Sequence, residues 1–365
     1  MRKIAISSWA TSAFTRGSAT SLFELACEPA LQLIRESSIS PKEIDALFFS
    51  SCASDQYSST IISEMLGIRP KVSFRIDNLC NSGTNAVASA FAFIAAGLCH
   101  TALVVGAEMS DSPGNRLLWD VTRGSFTFPV HWAALFAKAH MKKYGTSEEE
   151  MAMVSVKNHK NASRNPCALY GKELEIEEVM NSKTIAPPIK LLDCSALCDG
   201  ASALMLVSEE KARSLNNPVF IRGVGQKTTS ASFAKATFDL TSIEAAKEAA
   251  QIAFEMSATR ISDIDIAEIH DAFTILEIIA YEDLGFAKKG EGGKFVNQKQ
   301  IAINPRGGII GCGHPIGATG VAQVAEIASQ LAGKAEKRQV KDCRIGLVHN
   351  LAAAGSSATV IVLGI

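Results

Sequence analysis

Gly311-Cys312-Gly313-His314-Pro315-Ile316-Gly317-Ala318-Thr319-Gly320 decides how the rest of the chain is read. Its glycines make a tight turn, Pro315 suits a helix start, and the small apolar residues that follow predict a helix over Ile316–Leu331. Asn78-Leu79-Cys80-Asn81-Ser82-Gly83-Thr84 has the same form, a loop entering an Ala-rich helix expected over Gly83–Gly97. In both stretches a chemically active side chain precedes a glycine by three residues, Cys80 before Gly83 and His314 before Gly317. Two equivalent junctions in distant parts of the chain point to a duplicated architecture.

The segments around them repeat in order. The first half reads as a strand at Lys3–Ser7, a helix at Leu22–Glu36, and strands at Ala46–Ser50, Ala102–Gly106 and Ala203–Val207. The second reads as a strand at Val219–Val224, a helix at Ile243–Met256, and strands at Ile266–Ile269, Ile345–Val348 and Ala358–Leu363. This is an α/β chain of two related halves. A stretch richer in charge, Asn and Pro, with helices expected at Trp132–Tyr144 and Glu148–Asn161, reads as an inserted loop domain. The expected division is 1–110 with 191–215, then 111–190 as the insertion, then 216–365.

Composition sets limits. The 365 residues are 47% hydrophobic, with a formal net charge of −1, so no broad basic field exists to attract nucleic acid or anionic lipid. The apolar start, Met1–Phe14, is broken by Ser7, Ser8, Thr11 and Ser12, unlike a signal peptide, and Ala86–Leu98 is too short to span a bilayer. The nine cysteines form no CxxC pair. Reduced thiols in a cytoplasmic protein are therefore expected, with no metal site.

Three side chains carry chemistry. Cys80 at a helix start faces free N–H groups and the positive end of the helix dipole, which predicts a lowered pKa and a nucleophilic thiolate; the competing reading is a small buried hydrophobe. His314 stands at the equivalent helix start, where the same field keeps the imidazole neutral and able to take the thiol proton. His270, in His270-Asp271-Ala272-Phe273, follows the strand Ile266–Ile269 and is positioned to donate to a substrate oxygen as charge develops on it.

On these residues the sequence resembles the thiolase family along its full length. Gly313–Gly320 resembles the family's Gly-His-Pro turn, Cys80-Asn81-Ser82-Gly83 its nucleophile motif, and Asp199-Gly200-Ala201 the segment before a strand of its first half. His270-Asp271-Ala272-Phe273, His349-Asn350, Lys157-Asn158-His159 and Asn165-Pro166 resemble the sterol-carrier-protein and archaeal-type branch.

The resemblance implies a thiolase fold of two pseudo-symmetric α/β halves in a five-layered α-β-α-β-α arrangement, as a homodimer or homotetramer. It implies ping-pong acyl transfer between coenzyme A thioesters, with no further cofactor. Cys80 would be acylated, His314 would activate it and share an oxyanion hole with His270, and the Cys80 N–H would serve a second hole. Lys157, His159, Lys160 and Arg164 are candidate coenzyme A phosphate contacts. The archaeal-type branch implies two protein partners, a small zinc-bearing OB-fold protein and hydroxymethylglutaryl-CoA synthase.

Departures bear on turnover. Asn350 occupies the motif position that replaces the family's second acid/base cysteine, and Ala272 stands where the sterol-carrier branch has a cysteine. Cys312, if its stretch is extended, and His349 are the two candidate replacements. Ala352–Ala354 put methyl groups where glycine would approach the acyl group. A second function therefore stands beside catalysis, that of an impaired thiolase-like protein that binds acyl-CoA or supports a partner. A hydroxymethylglutaryl-forming or decarboxylating condensing enzyme is disfavoured, because those lack the Gly-His-Pro turn.

Overall fold

The computed structural model describes residues 2–17, 21–53, 55–111, 128–215, 217–231, 239–298 and 300–365. Among the described residues twelve strands run in chain order: β1 Ile4–Thr11, β2 Ala46–Ser50, β3 Val72–Ile76, β4 Thr101–Glu108, β5 Thr184–Ala186, β6 Ile189–Lys190, β7 Gly200–Ser208, β8 Val219–Thr228, β9 Ile266–Ile269, β10 Ala302–Ile303, β11 Ile345–Ala352 and β12 Ser357–Gly364. Ten of them form one sheet in the order β10-β9-β11-β12-β8-β1-β7-β4-β2-β3, and β5 and β6 make a separate hairpin.

The sheet carries the duplication. From its middle outward each half repeats one sequence of neighbours, β1-β7-β4-β2-β3 and β8-β12-β11-β9-β10. The pairing sense repeats as well. The two neighbours of β2 and the two of β9 run parallel to them, and the remaining pairs are antiparallel. The halves join through β1 and β8 at three residue pairs, Ile4↔Ile221, Ala5↔Phe220 and Ile6↔Val219.

Helices explain the layering. Leu22–Glu36 and Ser58–Met65 cover the outer face of the first half, where Ala26, Ala30, Leu33 and Ile62 pack on Leu47, Leu103 and Met205. Glu244–Ser257 and Thr274–Asp283 cover the second, and that apolar cluster continues into Pro129–Tyr144 and Glu148–Ala162 of the inserted segment. Residues 112–127 of that expected insertion lie outside the described residues. Between the two sheet halves lie Ser82–Ala95 and Ile316–Leu331, the latter with all 16 residues buried. Such all-round burial needs apolar or small residues on every face, which explains its run of Ala, Gly and Val. Five layers result, α-β-α-β-α, within one α/β fold.

The two central helices cross backbone to backbone. A Cβ added to Gly83 would lie 2.7 Å from the Val321 nitrogen, and one added to Gly320 would lie 2.5 Å from the Thr84 nitrogen. Only glycine allows that approach, and the approach brings the two helix starts together.

Candidate functional site

Cys80 sits in a turn held from both sides. Leu79 adopts a positive φ of 49°, and Ser82 Oγ accepts from the Asn78 N–H at 2.7 Å while donating to the Leu79 carbonyl at 2.6 Å. The Asn78 and Asn81 carboxamides each donate to Ser357 Oγ at 3.1 Å, which ties this first-half turn to β12 of the second half. Cys80 is 9% exposed.

His314 meets it from the opposite half. Its backbone N–H donates to the Ala196 carbonyl at 2.8 Å, and its ring lies with Nδ1 2.8 Å from Thr319 Oγ1 and Nε2 3.1 Å from Cys80 Sγ. The Thr319 hydroxyl also lies 3.1 Å from the Pro315 carbonyl, which can only accept. With the hydroxyl proton on the Pro315 carbonyl, Nδ1 carries the ring proton. This assigns a free lone pair on Nε2, aimed at the thiol.

Electrostatics make this a neutral pair. Burial holds His314 down at about 3 and pushes the Cys80 thiol up to about 12, although the Cys80 and Ala353 N–H groups pull the thiol the other way. The lowered thiol pKa expected from the helix start is thus overturned: desolvation outweighs the local donors. The neutral histidine matches the expectation. Ala353 adopts a positive φ of 49°, a conformation that favours glycine, and its N–H still reaches Cys80.

His270 completes the cluster. It is 1% exposed, its ring centroid is 5.8 Å from that of His314, and one donor atom from each of Cys80, His270 and His314 lies within 4.8 Å of the others. Burial first, then the neighbouring imidazoles of His314 and His349, hold His270 well below the usual histidine range. Its Nδ1 has no partner among the described residues.

Behind it the His270-Asp271-Ala272-Phe273 segment is anchored by a buried polar network. Asp271 accepts from the Ile309 N–H at 2.6 Å and from Asn158 Nδ2 at 2.7 Å, and Asn158 also reaches Glu277 at 2.7 Å.

Several expected site residues lie elsewhere. Cys312 is not in an extended stretch: Gly308–Cys312 is a short helix, and the thiol donates to the Arg306 carbonyl at 3.0 Å and packs with Phe14, Cys198 and Ala322. His349 is fully buried on β11, on the same face as Leu347 and Leu351, which join the outer cluster, yet close enough to hold the His270 pKa down. Asn350, on the opposite face, bonds the His270 side chain and donates to Gln323 of Ile316–Leu331 at 2.6 Å.

The coenzyme A candidates divide in the same way. Lys157 is turned inward, its ammonium 2.6 Å from Glu277, and His159 is buried with Nδ1 3.1 Å from the Ser155 carbonyl. Both are corrected as phosphate contacts: their helix, Glu148–Ala162, presents that face to the second half. Lys160 and Arg164 are exposed.

Glu108 was not among the expected residues. It is 1% exposed at the end of β4, and accepts from Cys52 N–H at 2.7 Å, Ser51 Oγ at 3.2 Å and Gly317 N–H at 3.2 Å. A first-half carboxylate thus caps the helix that follows His314. The available signal was an acid closing an otherwise apolar strand.

Comparison with known proteins agrees with this architecture. Residues 4–210 match the thiolase N-terminal domain and residues 225–365 the thiolase C-terminal domain-like family. The chain is 35% identical to an acetyl-CoA acetyltransferase of Methanothermobacter thermautotrophicus, over 99% of each chain. It is 33% identical to sterol carrier protein 2 of Oryctolagus cuniculus, over 81% of this chain and 59% of that one. Among solved structures, an Ltp2-ChsH2(DUF35) aldolase superposes with a TM-score of 0.88 at 26% identity, covering 99% of this chain and 97% of that one.

Proposed function

This chain belongs to the thiolase family, and from that premise we propose that it transfers acyl groups between coenzyme A thioesters through an acyl-cysteine on Cys80. The reaction is acetoacetyl-CoA formation or cleavage, or thiolysis of a 3-ketoacyl-CoA. The observation that carries the reading is the 3.1 Å contact between Cys80 Sγ and the unprotonated Nε2 of His314.

With the thiol high and the imidazole low, an ion pair does not form at rest. Proton transfer to Nε2 therefore accompanies attack of sulfur on the thioester carbonyl. The Cys80 and Ala353 N–H groups, already facing Sγ, stabilise the oxyanion of the acyl-enzyme step, and the leaving coenzyme A sulfur recovers the proton from His314. In the second half-reaction His270 faces the other thioester. It donates to that thioester's oxygen, while His314 Nε2, free again once the coenzyme A sulfur has taken its proton, accepts the α-proton and passes it to the departing Cys80 sulfur.

Lys160 and Arg164 remain the candidates for coenzyme A phosphates. A homodimer or homotetramer in the cytoplasm, with a zinc-bearing OB-fold partner and a hydroxymethylglutaryl-CoA synthase, fits the same reading. Support for a protein partner is the aldolase neighbour, whose name includes a DUF35 component.

The test is thiolysis: purified protein with acetoacetyl-CoA and coenzyme A should yield acetyl-CoA, and Cys80→Ser should not. The second reading, a binding or scaffold protein without turnover, is favoured by Asn350 and Ala272 standing where cysteines are expected. It predicts acyl-CoA binding with neither thiolysis nor exchange of acetyl-CoA α-protons in deuterated water.

A further inference from the structure

We propose that Cys80, His270 and His314 together form a reversible Zn2+ site whose occupation switches the enzyme off. This concerns regulation of the site proposed above and rests on that reading. Among the described residues, this is the one group of three His, Cys, Asp or Glu side chains whose donor atoms are within 4.8 Å of one another. Zn2+ binds Cys sulfur at about 2.3 Å and His nitrogen at about 2.0–2.1 Å, so its tetrahedral ligands stand roughly 3.3–3.7 Å apart. Cys80 Sγ and His314 Nε2 are already 3.1 Å apart, and a shift of about 1 Å by the His270 ring closes the set.

The chemistry of the donors selects the ion. One sulfur and two imidazoles, with no carboxylate in the set, favour zinc over magnesium or calcium. His314 has the supporting bond that ligating histidines usually have, Nδ1–H to Thr319 at 2.8 Å, and the His270 Nδ1 has no described partner. Three protein ligands leave a fourth position open.

Binding replaces the S–H bond of Cys80 with an S–Zn bond and releases one proton to solvent, with no oxidation or reduction. It occupies the sulfur lone pair and the Nε2 lone pair together. The nucleophile and its base are then both lost, until a chelator removes the ion.

The experiment uses full-length protein freed of metal with EDTA, and Co2+ as a spectroscopic probe. Wild type should bind one Co2+ per chain with a thiolate-to-cobalt charge-transfer band, which Zn2+ displaces and Mg2+ does not. Zn2+ should slow alkylation of Cys80 by iodoacetamide roughly 100-fold, and EDTA should restore it. Cys80→Ser should abolish the band, and His270→Ala should weaken Co2+ binding by roughly 10- to 100-fold, with His270→Gln as the variant if the alanine protein misfolds. A band that persists in Cys80→Ser, no stoichiometric Co2+ binding by wild type, or unchanged alkylation under Zn2+ overturns the proposal. Thiolysis in EDTA is read separately. Activity without Co2+ binding removes the metal site alone, and Co2+ binding without activity removes the acyl-transfer reading and the regulation that depends on it.

Discussion

His314 works only in one tautomer, and a single hydroxyl sets it. Thr319→Val removes the acceptor that holds Nδ1–H, so turnover should fall by roughly 10- to 100-fold and Cys80 alkylation should slow, with helix content unchanged by circular dichroism. His314→Ala should lower both alkylation and turnover, whereas His270→Ala should lower turnover and leave alkylation nearly intact. A base acts on the free enzyme, but an oxyanion donor acts only on substrate. Equal loss of alkylation in both variants would contradict that division.

The pH dependence follows from the thiol at about 12. The reactive thiolate fraction grows about tenfold per pH unit below that value, so alkylation should keep rising to at least about pH 10. A plateau near neutral pH would mean that a stable thiolate exists at rest.

At this scale the sequence was informative where glycine-dense turns constrain a reactive side chain, as at Cys80 and His314. It misled at Cys312, because positive φ values at Gly307 and Gly308 allow a helical turn in place of an extended stretch. It could not separate His349 from Asn350, since which face of a strand is buried against which layer depends on register.

Among the elements, the crossing of Ser82–Ala95 with Ile316–Leu331 sets the Cys80–His314 distance. Gly320→Ala places a Cβ 2.5 Å from the Thr84 nitrogen, so the helices must part. The variant should lose about 1–3 kcal/mol in denaturant unfolding and show slower Cys80 alkylation. Unchanged stability would mean that the two backbones are not in contact. Long helices and fully buried strands such as Ile316–Leu331 and β9 were readable from their runs of apolar residues. The edge strands β3 and β10 were not: β3 is half-exposed and β10 has two residues, too little for a period to register.

Across the whole molecule, the function depends on the first half presenting Cys80 and the second half His314 and His270 to a shared point. The repeat of strands and helices was legible because each half repeats its own local pattern. The β1–β8 junction was not, since three pairs between distant segments leave no periodic trace in either. Glu108 and Ser357 belong to the same class of contact, side chains whose role exists only once the halves have met.

The account rests most heavily on Cys80 as the acylated residue. Mass spectrometry of the intact protein and its peptides, after brief incubation with acetoacetyl-CoA in the absence of free coenzyme A, tests this directly. The predicted result is one acetyl group per chain on the peptide carrying Cys80, discharged by added coenzyme A and absent in Cys80→Ser. No adduct, or an adduct on another cysteine that survives in Cys80→Ser, would contradict it.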